Sequence, residues 1–186
     1  MTDAISPVAA TTPTPHRFTD SLMAFCVGLW LALLQFSFFF LLEVRLTSRA
    51  TTFFVALFFW LVGFLAGLNL RSPRAFPLLV ALAPAAYYVA YLVLGLLPYR
   101  VQVLPLVGAC IAVAGSLAGA FFPYAAGRFG RLKLLLFHEN NGFVLGILLS
   151  LFGAVFAGRF LLDWAPALAA LPVVGFAVSS VRAAGK

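Results

Sequence analysis

Few side chains in this sequence are equipped for chemistry, and they fall into two groups. The first is Glu43, Arg45 and Arg49, together with Arg159 and Asp163. Glu43 and Arg45 are two residues apart, so a helix would turn them to different faces and Glu43 would need a base from another segment. Arg159 and Asp163 are four apart, the spacing of a direct ion pair within one helix. Two readings stand for this group: snorkelling, paired charges at a membrane surface, or a polar vestibule for a substrate or partner.

The second group is His138-Glu139-Asn140-Asn141. It begins like the HExxH zinc motif, but the fifth position is Gly142, so the second metal-binding histidine is missing. The segment precedes an apolar run, and the plainer reading is a helix start. Asn140 or Asn141 then caps the helix, and Glu139 sits near its positive end. Gln35 and Asn69 are amides within or near apolar runs, where either suits an interhelical hydrogen bond. The sequence has no phosphate-binding glycine loop, no GxSxG and no paired carboxylates inside an apolar run. Its two histidines, His16 and His138, both fall outside the apolar runs. Cys26 and Cys110 lie within such runs without CxxC spacing and read as small hydrophobes. No metal or cofactor is expected.

The elements that carry these groups are apolar. Of 186 residues 64% are hydrophobic and 9% charged, with a mean hydropathy of +1.10. A soluble domain is nearer 45–50% apolar and about 25% charged, so the bilayer is the expected solvent. The fold class is therefore an all-α polytopic membrane protein. Six apolar runs, at residues 21–42, 50–70, 75–97, 103–126, 142–162 and 166–181, each approach the ~20 residues that span the hydrocarbon. Residues 1–17 form a polar tail rich in Thr and Pro, expected to be disordered, and 18–186 form one six-helix domain. The net charge of +7 comes from bases scattered between apolar runs, a topology signal rather than a nucleic-acid surface. Arg17, Arg71, Arg74, Arg128, Arg131, Lys133, Arg182 and Lys186 fall on one side, against Arg45, Arg49, Arg100 and Arg159 on the other. This bias puts both termini in the cytoplasm, in a bacterial inner membrane.

Small residues give the clearest packing signal. Gly142, Gly146, Ser150, Ala154 and Gly158 recur every four residues. Gly108, Ala112, Ser116 and Ala120 repeat that spacing in the fourth run, alongside Gly115 and Gly119, and the second run has Gly63 and Gly67. Such rows let backbones approach closely, either within the bundle or against a partner. The 21 phenylalanines, dense at Phe36–Phe40 and Phe53–Phe59, are read as facing lipid or filling gaps between helices.

One stretch resembles a known family. Gly119-Ala-Phe-Phe-Pro123, Gly127-Arg-Phe-Gly-Arg-Leu132, Glu139-Asn-Asn-Gly142 and Gly146 resemble the membrane domain of spermidine-synthase-like membrane proteins, as do Leu42-Glu-Val-Arg45 and Phe64-Leu-Ala-Gly67. Glu139 stands where that family has Asn. Fused members continue into a soluble aminopropyltransferase domain, whereas this sequence stops at Lys186, so the resemblance implies the membrane part alone. Gly127–Lys133 also resembles a cytoplasmic loop of major facilitator transporters, with Gly127 where an Asp is usual. The functional expectation is a non-enzymatic accessory subunit or scaffold in a larger assembly, partnered by another membrane protein or by itself. The alternatives are a small dimeric transporter, or a membrane partner of a spermidine-synthase-like enzyme.

Overall fold

The computed structural model describes residues 18–46, 50–70, 72, 74–129 and 131–184, with side chains as far as 179. The expected tail at 1–17 and Arg49 lie outside the described residues. The described residues form six α-helices and no strand. They are α1 (Phe18–Arg45), α2 (Ala50–Leu68), α3 (Ala75–Leu96), α4 (Leu104–Ala126), α5 (Leu132–Phe156) and α6 (Arg159–Ala184). Each helix includes a stretch long and apolar enough to cross a membrane, which makes this a multi-pass membrane architecture.

Two boundaries correct the sequence reading. α5 starts at Leu132, ten residues before the expected start, so His138–Asn141 lies within the helix and is not its cap. The run Leu132-Lys-Leu-Leu-Leu-Phe137 is made of good helix formers, and the polar residues that follow interrupt hydropathy without interrupting the backbone. Asn141 turns its Nδ2 onto the carbonyl of Phe137, 2.7 Å away, one turn back in the same helix. The second break falls at Gly158 rather than at 163–165. Gly158 has φ +49°, and the N–H groups of Ala157 and Gly158 both bond to the Gly153 carbonyl, at 2.8 and 2.9 Å. This is a glycine C-cap, and it ends α5 before the expected five-member row is complete. Arg159 and Asp163 therefore open α6 instead of closing α5.

The closest contacts join α1 to α5 and α2 to α4. Both pairs run parallel, since residues later in one helix meet residues later in the other. On α2 and α4, a Cβ built on Gly63 would land on the carbonyl oxygen of Ala112, and one on Gly67 on that of Ser116. From the other side, Gly115 and Gly119 lie against the carbonyls of Trp60 and Phe64. On α1 and α5, Gly142 meets the Phe25 carbonyl, Gly146 that of Leu29, and Gly28 that of Glu139. Lipid is as apolar as the side chains it would replace, so these helices gain little by hiding apolar surface. Backbone-to-backbone approach gains dispersion and Cα–H···O contact instead.

The two pairs are versions of one arrangement. A constant offset in sequence takes Phe25, Gly28 and Leu29 of α1 to Ala112, Gly115 and Ser116 of α4. A second offset takes Glu139, Gly142 and Gly146 of α5 to Trp60, Gly63 and Gly67 of α2. Under these two shifts the backbone contacts of one pair become those of the other. The remaining contacts follow the same exchange: α3 packs on α4 as α6 packs on α1, and α3 meets α6. The halves α1–α3 and α4–α6 are thus related by a pseudo-two-fold. Each half has three crossings, and α4 starts at the end where α3 stops. The N–H of Tyr99, in that connection, bonds to the Arg45 carbonyl at the end of α1. The second half therefore runs through the layer in the opposite sense, as an inverted repeat.

α6 is fastened to α3 and α1 around a proline. Pro166 has no N–H, which frees the carbonyl of Leu162 one turn earlier. The Tyr87 hydroxyl donates to that carbonyl at 2.9 Å, Tyr88 donates to the Asp163 carbonyl at 3.0 Å, and the Trp30 indole donates to the Pro166 carbonyl at 2.9 Å.

Candidate functional site

A cleft of about 230 Å³ opens between the two tight pairs. Its walls include Leu31 and Gln35 of α1, Ala118 and Phe122 of α4, Trp60 and Phe64 of α2, and Glu139 and Phe143 of α5. These are four symmetry-related couples: Leu31 with Ala118, Gln35 with Phe122, Trp60 with Glu139, Phe64 with Phe143. The cleft therefore lies on the pseudo-two-fold, where the repeats meet. Its polar chemistry comes from one member of a couple only. Gln35 faces the site where its counterpart is Phe122, and Glu139 where its counterpart is Trp60.

Glu139 is the most unusual residue of the molecule. It is 7% exposed, its carboxyl has no hydrogen-bond or ion-pair partner among the described residues, and it lines the cleft. Its burial follows from its position. The Glu139 carbonyl is the atom that a Cβ on Gly28 would strike, so this residue sits in the tightest part of the α1·α5 contact. A carboxylate is expensive to remove from water without a partner. The neighbouring polar residues behave differently. Asn140 is exposed at the rim of the cleft, Asn141 is exposed, and His138 is half-buried with its Nε2 3.1 Å from the Ser21 hydroxyl.

The first charged group lies elsewhere, near the other end of α1. A second cavity of about 330 Å³ is lined by Arg45, Tyr91, Ala154, Gly158 and Arg159, among apolar residues. Arg159 Nε bonds to the Asp163 carboxylate at 3.1 Å, and Tyr91 donates to the other oxygen of the same carboxylate. Arg159 is 79% exposed, so the pair is well solvated at this surface. Glu43 is exposed and makes no ion pair among the described residues; the structure brings Arg45 and Arg159 together and leaves Glu43 out.

Of the small-residue rows, Gly63, Gly67, Gly115, Gly119, Gly142 and Gly146 lie in the two backbone contacts. Ser150 is buried, with its hydroxyl on the Gly146 carbonyl at 2.8 Å. Gly108 lies under the Phe59 ring, Ala112 supplies the carbonyl under Gly63, and Ala154 and Gly158 line the second cavity. The amide of Asn69, just past the end of α2, bonds back to the Leu65 carbonyl of that helix at 2.8 Å rather than across helices. The sequence reading did not connect Trp60, Phe64 and Phe143 with Glu139. The signal that does so is short: Gly63-Phe-Leu-Ala-Gly67 and Gly142-Phe-Val-Leu-Gly146 share a Gly-Phe-x-x-Gly frame, and Trp60 and Glu139 each precede it by three residues. Among the described residues no three His, Cys, Asp or Glu side chains gather as a metal site. In comparisons with known proteins, the chain matches no family model, no curated protein and no solved structure.

Proposed function

We propose that this chain is a non-enzymatic carrier of a small solute, with the Glu139 cleft as its binding site. The observation that carries the reading is the Glu139 carboxyl, unpartnered among the described residues, on a residue only 7% exposed that lines a cleft on the pseudo-two-fold. Ionisable groups inside a bundle that spans the membrane mark substrate or proton paths by default. Carriers built from inverted repeats hold their site at the repeat interface and expose it in turn to either side by rocking one half against the other. The molecule lies in a bacterial inner membrane with both termini cytoplasmic, in keeping with Arg74, Arg128, Arg131 and Lys133 at one end of the bundle.

Gln35→Cys, in a background with Cys26→Ala and Cys110→Ala, tests this. In sealed vesicles of either orientation, a membrane-impermeant thiol reagent should reach it from both faces. Access from one face only, or from neither, would sink the carrier reading.

The second reading, a subunit of a larger assembly or a homo-oligomer, is favoured by the outer faces of α2 and α5. Only 28% and 22% of their most apolar stretches are buried within the chain. Most of the small-residue rows do not add to it, because Gly63, Gly67, Gly115, Gly119, Gly142 and Gly146 already touch backbone inside the molecule.

A further inference from the structure

We infer that the Glu139 cleft takes a small organic ammonium ion. This rests on the carrier reading and adds the chemistry of the ligand. The walls hold one carboxyl, the side-chain amide of Gln35 and, at the rim, that of Asn140. The rest is largely aromatic: Trp60, Phe64, Phe122 and Phe143 contribute rings. Among the described residues no Lys, Arg or His lines the cleft, so an anion finds a carboxyl and no counter-charge. A hard metal ion wants six or more oxygens, and these walls are mostly carbon. An alkylammonium meets both parts of the lining. Its N–H groups donate to Glu139 and to the amide oxygens, and its positive charge lies against ring faces, of which the indole is the strongest partner. The volume of about 230 Å³ equals about eight waters at ~30 Å³ each, room for an ammonium carrying a few carbons.

The pseudo-symmetry supports the assignment by contrast. Trp60 occupies the place on α2 that Glu139 occupies on α5, so the carboxyl and the indole belong to opposite halves and share one cleft. A cation held by both halves bridges them, which is the position from which a ligand controls their relative movement.

The experiment uses the whole protein in proteoliposomes and a lipophilic carbodiimide, which modifies carboxyl groups in apolar surroundings. Labelling is read by peptide mass spectrometry at Glu139, with Glu43 as the exposed reference. The probes are butylammonium, its neutral analogue pentanol, and pentanoate. At ten times its dissociation constant, butylammonium should slow Glu139 labelling about tenfold, leaving Glu43 unaffected. It should also raise the melting temperature of wild type and not of Glu139→Gln, which retains the shape of the side chain. Equal protection by pentanol, or protection by pentanoate, would overturn the ammonium assignment. Rapid labelling that no probe slows would overturn it too, while leaving the cleft an open site of another chemistry. No labelling of Glu139 in wild type would show a sealed carboxyl, and the carrier reading would fall with the ligand.

Discussion

The α1·α5 and α2·α4 pairs share one backbone geometry and differ in what that geometry holds. Over Gly115 lies Trp60, and over Gly28 lies Glu139. In one pair the residue beside the glycine contact fills the cleft with an indole. In the other it presents a carboxyl that no described residue neutralises. The comparison separates two demands on a membrane bundle. Close backbone approach is a packing requirement and is met twice in the same way. The side chain at the cleft is free to differ, and here an indole stands where its counterpart is a carboxyl.

Breaking the shared geometry should have the largest effect. Gly63→Leu and Gly142→Leu each drive a side chain into carbonyl groups of a partner helix, and backbone cannot yield as a flexible side chain can. Each should lower stability by about 3 kcal/mol or more, read as loss of the folded fraction in detergent. Equal damage at the two sites is the outcome expected of true counterparts; damage at one only would break the equivalence. Making the halves alike in charge comes next. Trp60→Glu sets a second carboxyl across the cleft from Glu139 and should lower stability by about 3 kcal/mol in thermal unfolding.

The converse change should stabilise. Glu139→Gln removes the unpartnered carboxyl and should add about 1 kcal/mol, visible as a higher melting temperature. A lower melting temperature would mean that the carboxyl is structural. Smaller still, Tyr87→Phe leaves the Leu162 carbonyl without a donor in a bundle with few waters, and should cost about 0.6 kcal/mol in the same assay. Gly175 has nothing near its missing Cβ, so Gly175→Ala should be neutral or add about 0.5 kcal/mol through helix propensity.

Much of this architecture is legible in the sequence, because hydropathy and helix length answer to the same solvent. The first four apolar runs lie within a few residues of their helices. The fifth and sixth do not, for a definite reason. His138–Asn141 looks like the edge of the membrane when residues are averaged along the chain, yet a helix distributes them around its axis, with Glu139 inward and Asn140 and Asn141 outward. Gly158 ends a helix through its backbone conformation, and hydropathy does not register that. The site was half legible. Glu139 stood out by type, but its place on the pseudo-two-fold depends on contacts between helices far apart in sequence. The inverted repeat leaves short traces, the Gly-Phe-x-x-Gly frame and the shared glycine at Gly28 and Gly115, since lipid-facing positions tolerate any apolar residue.

The glycine contacts have a further consequence, in entropy. When long side chains interlock, each gives up rotamers, a loss of roughly 0.5–2 kcal/mol per residue at room temperature. Glycine and alanine have none to give up. At Gly28, Gly63, Gly115 and Gly142 the helices meet through backbone that folding into helices has already ordered. Docking the two pairs therefore freezes little that was free, and dispersion between the backbones is left nearly unopposed. In a solvent that offers no hydrophobic drive, that saving is what allows helices distant in the chain to find each other and stay together.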